Sequence, residues 1–277
     1  MEIDSVKEIL DEIGVSYFYE NGEKIRIIDF VNENEKIQKQ ALDKMNSYQK
    51  FCRFVSSILI RNQKGTFKEG EKKYYKSDIL EDKLLNLNIN DKLWKDKEYL
   101  EKLVRESRIN YGRFKESAGD ILFQAKQIFN QEFNQEFSPY IKQAKAFFQQ
   151  YQNENVPTRY FGDNFITISG VKYKTRDLGL STLINSVISI DQHLMRIPLL
   201  LDIYKLSNIP EEIWKKGQPG SDANYFRLAR FLLPLSYKLD ITPWKFDRIL
   251  WKFATEVCTE KNPKCNNCSV RNCKRRK

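Results

Sequence analysis

The sequence predicts an all-α protein prefaced by one small β-hairpin, and three observations carry that prediction. From about residue 33 almost to the end, apolar residues recur at helical spacing. Alternating strand patterns are nearly absent after residue 32. The breaks between apolar stretches fall on Gly65, Asn90-Asp91, Gly112, Pro157, Gly162, Pro210, Pro219-Gly220 and Pro243, residues that interrupt helices.

Taken in order, Ile3, Val6, Ile9, Leu10 and Ile13 share one face of a first short helix that Gly14 ends. The stretch VSYFYENGEKIRIIDF then alternates around Asn21-Gly22, the preferred dipeptide of a two-residue hairpin turn. Helices follow at about 34–61, 77–88, 91–107, 114–130, 136–152, 172–188, 191–206, 209–216, 222–238 and 243–258. The patch NQEFNQEF at 130–137 is of low complexity and reads as a polar-faced helix with a surface insertion over 131–160. Cys52, inside the apolar run FCRFVSSILI, reads as a buried core thiol. Trp244 and Trp251, near Tyr237 and Phe253, read as parts of a C-terminal core.

Composition narrows the function. The 277 residues carry 47 Lys+Arg against 37 Asp+Glu, a formal charge of +10 that attracts polyanions, phosphate backbones above all. Aromatic residues make up 13%, material for stacking on bases. No stretch approaches the ~18–20 apolar residues that span a bilayer, so no membrane partner is expected. The acidic amphipathic start, MEIDSVKEILDEIG, is unlike a secretory signal, which predicts an intracellular protein with reduced thiols. Phosphate-cradling loops of the G-x-x-x-x-G-K-[ST] or G-x-G-x-x-G type are missing from the sequence. A single histidine gives zinc proteases and Ser-His-Asp hydrolases little to build with.

Four of the five cysteines lie in the last 20 residues, as Cys258, Cys265, Cys268 and Cys273 with spacing C-x6-C-x2-C-x4-C. Four thiolates in a short loop suit a tetrahedral metal ion or a cubane iron–sulfur cluster. Zinc ribbons usually show two C-x2-C pairs separated by a longer stretch, and only one such pair is present. The loop is basic: Lys261, Lys264, Arg271, Lys274, Arg275, Arg276 and Lys277 stand against the single acid Glu260. Binding a metal would hold these repelling cations in a shape fit for a phosphate backbone.

This loop resembles the terminal iron–sulfur loop of the endonuclease III-like family of helix-hairpin-helix DNA glycosylases, usually C-x6-C-x2-C-x5-C; the last interval here is one residue shorter. The segment from Ile168 to Arg176, ISGVKYKTR, is similar to that family's hairpin L-P-G-V-G-x-K-T-A. Such a hairpin offers backbone amides to a phosphate at the start of its second helix. Lys172 replaces the family's second glycine, and Arg176, which must find water or DNA, replaces its alanine. Seventeen residues after Lys174 comes IDQHLMRI, 190–197, which resembles the family's V-D-T-H-I-F-R-V. More faintly, FVSSILIRNQ at 54–63 looks like the first helix of the family's barrel, ending at Gln63.

The resemblance, over roughly 46–277, implies a two-lobed helix-hairpin-helix glycosylase fold. A six-helix barrel lobe would occupy 46–190, with the helix-hairpin-helix at about 163–188. Residues 1–45 would join 191–277 in an iron–sulfur lobe whose cluster loop is 258–273. It implies a monomeric DNA repair enzyme acting on duplex DNA that contains a damaged or mismatched base. Lys174 would be the nucleophile, needing a neutral amine, and Asp191 the catalytic carboxylate. Gly170, Val171, Lys172, His193, Lys261 and Lys264 would hold phosphates, Gln63 would fill the space left by the extruded base, and the four cysteines would ligate a [4Fe–4S] cluster. Three alternatives stay open: a monofunctional glycosylase in which Lys174 only binds phosphate, a non-catalytic DNA-binding protein with a metal-stabilised loop, and a zinc-loop regulatory protein.

Overall fold

The computed structural model describes residues 2–60, 66–69, 72–109, 117–153 and 156–276, with the side chains of 66–69, 72–74, 153 and 276 left aside. Among the described residues the protein is mainly helical, with twelve α-helices and two antiparallel hairpins. No described helix is long and apolar enough to cross a membrane. The chain divides into two compact units. Met1–Gln40, Phe148–Tyr160 and Asn185–Lys277 form the first, Ala41–Phe147 and Phe161–Ile184 the second.

In the first unit, α1 (Ile3–Val15) buries Val6, Ile9, Leu10 and Ile13 on one face, the stripe legible in the sequence. The predicted hairpin is β1 (Tyr17–Glu20) with β2 (Glu23–Arg26), in register Tyr17↔Arg26. Asn21 and Gly22 both take positive φ, as a type I′ turn requires. α2 (Ile27–Lys44) starts directly after β2, earlier than the alternation suggested, and only Ile27 and Val31 of it are buried. The C-terminal part holds α9 (Gln192–Leu200), α10 (Glu211–Lys215), α11 (Asp222–Lys238) and α12 (Pro243–Lys252). Trp214, Trp244, Phe246, Leu250 and Phe253 are core residues there. Trp251 is half-buried instead and carries the Arg248 guanidinium over its ring at 5.6 Å.

The second unit contains α3 (Ser47–Ile58), α4 (Lys76–Leu85), α5 (Lys97–Glu106), α6 (Ala118–Gln131), α7 (Ser138–Gln149, as far as Phe147) and α8 (Tyr173–Ser181). The expected single helix over 34–61 is broken because Asn46 and Gln49 form a reciprocal capping box that starts α3 afresh. Asp96 likewise caps α5 and separates it from a 3₁₀ turn at Lys92–Lys95. A second hairpin, β3 (Thr66–Glu69) with β4 (Lys72–Tyr75), lies where no strand was expected.

The 131–160 segment is no surface insertion. Phe137, just before α7, and Tyr140, Ala144 and Phe148 within it are buried, and the polar residues between them cover the outside of the helix. Phe137 and Tyr140 meet Phe54 of α3 and Phe165 edge-on or tilted, and Phe51 stacks on Phe129 with centroids 4.3 Å apart. Cys52 is buried in this core, where loss of water pushes its thiol up to about 12.

The helix expected over 172–188 ends at Ser181. The Ser181 and Thr182 hydroxyls bond the carbonyls of Leu178 and Gly179, three residues back, and compete with further helix. α8 also meets α3 without a side chain between them at Gly179. A Cβ there would lie 2.7 Å from both Phe54 Cδ2 and Ile58 Cγ2. Gly179→Ala is therefore expected to cost about 1–3 kcal/mol of stability through overpacking. Urea denaturation would show it as a lower midpoint at constant slope; an unchanged midpoint would contradict this close crossing.

Candidate functional site

In the second unit, the segment matched to the hairpin begins with Asp163, whose Oδ1 accepts from the amides of Phe165 and Ile166. This cap starts only a 3₁₀ turn, Asn164–Thr167, so the first arm of the expected helix-hairpin-helix is one short turn rather than an α-helix. The chain then reverses, with the Val171 amide bonded to Ile168 O at 2.9 Å. Gly170 sits at φ +87°, a conformation that favours glycine. Lys172 is the residue before α8 and cannot cap it with its own side chain. Thr175 does so in reverse: its Oγ1 accepts from the Lys172 amide at 3.0 Å and donates to the Lys172 carbonyl at 2.9 Å. Lys174 falls in the first turn of α8, half-buried, while Lys172 is exposed and Val171 buried.

Arg176 was expected to reach water or DNA and reaches neither. It is 0% exposed and ion-paired with both Asp163 and Asp177, its Nε 2.6 Å from Asp177 Oδ1. One amino group donates to the Phe161 carbonyl at 2.9 Å, and the guanidinium lies over the Phe161 and Tyr173 rings. The Tyr140 hydroxyl donates to Asp163 at 3.0 Å. Burial, and then the Asp163 charge, hold that phenol well above its ordinary range. The buried salt-bridge cluster thus ties the turn before the hairpin to the helix after it.

In the first unit, Asp191 is the cap of α9. Its Oδ1 accepts from the amides of His193 at 2.7 Å and Leu194 at 3.1 Å. Both bonds converge on one oxygen of a half-exposed side chain, which leaves Oδ2 for another partner. His193 is half-buried in the first turn of the same helix. Further along α9, Arg196 donates to the carbonyls of Ala254 at 3.1 Å and Cys258 at 2.7 Å, with Cys258 Sγ at 3.9 Å. The helix that Asp191 starts is in this way fastened to the first cysteine.

Cys258, Cys265, Cys268 and Cys273 line one cavity together with Val257, Pro263 and Arg275. Its empty space is about 260 Å³, part of it open to solvent. Burial raises the Cys258 thiol, and the charges of Arg196 and Arg275 work against that. The donor types, four soft sulfurs lining one cavity beside two guanidinium groups, are those a thiolate-bound iron–sulfur cluster takes. Among the described residues no three His, Cys, Asp or Glu side chains are gathered as a metal ion would require.

The loop is held from outside by the N-terminal element. Glu12 of α1 accepts from the Arg271 amide at 3.1 Å and pairs with its guanidinium at 3.0 Å. Ser16 Oγ accepts from the Ser269 amide at 2.9 Å. Of the basic residues, Lys274 pairs with Asp202 at 2.7 Å, and Arg275 bonds the carbonyls of Thr259 and Glu260. Lys261 and Lys264 are exposed, with no ion pair among the described residues. Gln63 and Lys277 lie outside the described residues.

Sequence reasoning missed Asp163, Asp177, Glu12 and Asp247. The last was findable: Pro243, Asp247, Leu250 and Ala254 share one helical face, so an acid occupies a core position of an apolar stripe. No family model, no curated protein and no solved structure matches the chain.

Proposed function

We propose that this protein is a bifunctional DNA repair glycosylase and abasic-site lyase acting on duplex DNA with a damaged or mismatched base. The observation that carries the reading is Lys174 in the first turn of a helix entered through a positive-φ glycine turn. Helix N-termini favour anions and offer amides to phosphate. A reactive amine beside such a terminus is suitably placed to meet a sugar-phosphate backbone.

The target nucleotide must leave the stack before chemistry begins. The neutral amine of Lys174 attacks C1′, and the glycosidic bond breaks with its electrons leaving on the base, which takes up a proton. Opening of the sugar ring yields a Schiff base. Loss of a 2′ proton then expels the 3′ phosphate by β-elimination, which nicks the strand. Asp191, through the oxygen its cap leaves over, stabilises positive charge developing at C1′ and moves protons. Gly170, Val171 and Lys172 offer the hairpin's phosphate contacts, with His193, Lys261 and Lys264 supplying others. Cys258, Cys265, Cys268 and Cys273 would hold a [4Fe–4S] cluster, which when bound supplies a rigid cross-link for the basic loop.

Asp191→Asn isolates the chemistry from the fold, because asparagine caps a helix as well as aspartate does. In single-turnover base release from lesion-bearing duplexes, the variant is expected to be slower by about 10²- to 10⁴-fold with duplex binding retained. An unchanged rate would contradict the role given to Asp191. Binding without base release by the wild type would leave a DNA-binding protein.

A further inference from the structure

Asp191 is delivered by a segment, Asn185–Ile190, that has no regular secondary structure and is pinned at successive residues. The Trp244 amide donates to the Asn185 carbonyl at 3.0 Å. The Tyr225 hydroxyl donates to the Ile188 carbonyl at 3.3 Å and accepts from the Ile190 amide at 3.4 Å. Between those two, the Ser189 amide donates to the carboxylate of Asp247, from the second turn of α12. Asp247 is 1% exposed, and its Oδ2 is 2.6 Å from the Arg248 guanidinium. A buried charge is costly unless it is paired and hydrogen-bonded, as Asp247 is by Arg248 and the Ser189 amide. Nothing in the chemistry proposed above uses it.

We infer that Asp247 is a positioning residue for Asp191, fixing the turn before it through Ser189 and adding a second negative charge behind it. The inference rests on the glycosylase reading for its catalytic consequence, not for its structural one. The charged groups that reach Asp247 are Arg248 on its own helix and Asp191 at the start of α9. Burial raises its carboxyl to about 6, the Arg248 charge and hydrogen bond oppose that, and Asp191 reinforces it. Above this range Asp247 is an anion that strengthens the field Asp191 presents to a cationic sugar; below it, that contribution is lost.

Two variants separate the roles. Asp247→Asn keeps an acceptor for the Ser189 amide and removes the charge; Asp247→Ala removes both. Amide hydrogen exchange of the full-length protein is expected to rise at least tenfold over residues 186–193 in Asp247→Ala and to stay at the wild-type level in Asp247→Asn. With a lesion duplex at saturation, Asp247→Ala is expected to release base about 10- to 100-fold more slowly at unchanged duplex affinity, as a displaced catalytic group does. Asp247→Asn is expected to lose the wild type's rise in rate near pH 6. Unchanged exchange in Asp247→Ala would overturn the positioning role, and an unchanged pH profile in Asp247→Asn the electrostatic one. A wild type without base release but with the expected exchange pattern would sink the glycosylase reading and leave Asp247 holding the turn.

Discussion

Arg176→Ala is expected to destabilise the second unit by about 3–5 kcal/mol, the cost of removing one partner from a buried ion pair. The variant places an alanine where the resembled hairpin pattern has one, yet it removes a side chain buried in two ion pairs. It takes the guanidinium away from Asp163 and from Asp177, itself 0% exposed, and removes the hydrogen bond that Arg176 gives the Phe161 carbonyl. Urea denaturation at pH 7 measures the effect, and a loss under ~1 kcal/mol would contradict a buried cluster that holds the hairpin.

The fold was legible where local signals act alone. The Asn21-Gly22 hairpin and the α1 stripe needed only a two-residue turn and one apolar face. The helix breaks at Asn46 and Ser181 were missed because side-chain caps and hydroxyl back-bonds, not glycine or proline, make them. The polar run at 131–160 hid a core helix, since its aromatic residues recur on one face while Gln and Asn crowd the other. Charged groups were the least readable. Arg176 looked like a surface cation because its partners Asp163 and Asp177 are brought to it by the turn between them. The same holds for Arg271, Lys274 and Arg275, three cations of the cysteine loop that the fold engages with Glu12, Asp202 and main-chain carbonyls. The spacing of the four cysteines put them in one short loop, and all four line one cavity.

The second large effect concerns Lys174, and its measurement bears most directly on the central claim. Borohydride reduces a Schiff base to a stable amine, so it joins enzyme to DNA only where a lysine has replaced the base at C1′. Wild type and Lys174→Ala would be incubated with duplexes carrying an abasic site or one of several damaged or mismatched bases, with borohydride present. The half-buried place of Lys174 in the first turn of α8 makes its truncation compatible with folding, which circular dichroism checks. The expected result is a covalent protein–DNA adduct with wild type, strongest on the duplex that carries the natural lesion, and none with Lys174→Ala. Adduct formation that survives in Lys174→Ala, or its absence from every wild-type reaction while binding persists, would contradict a Lys174-dependent lyase.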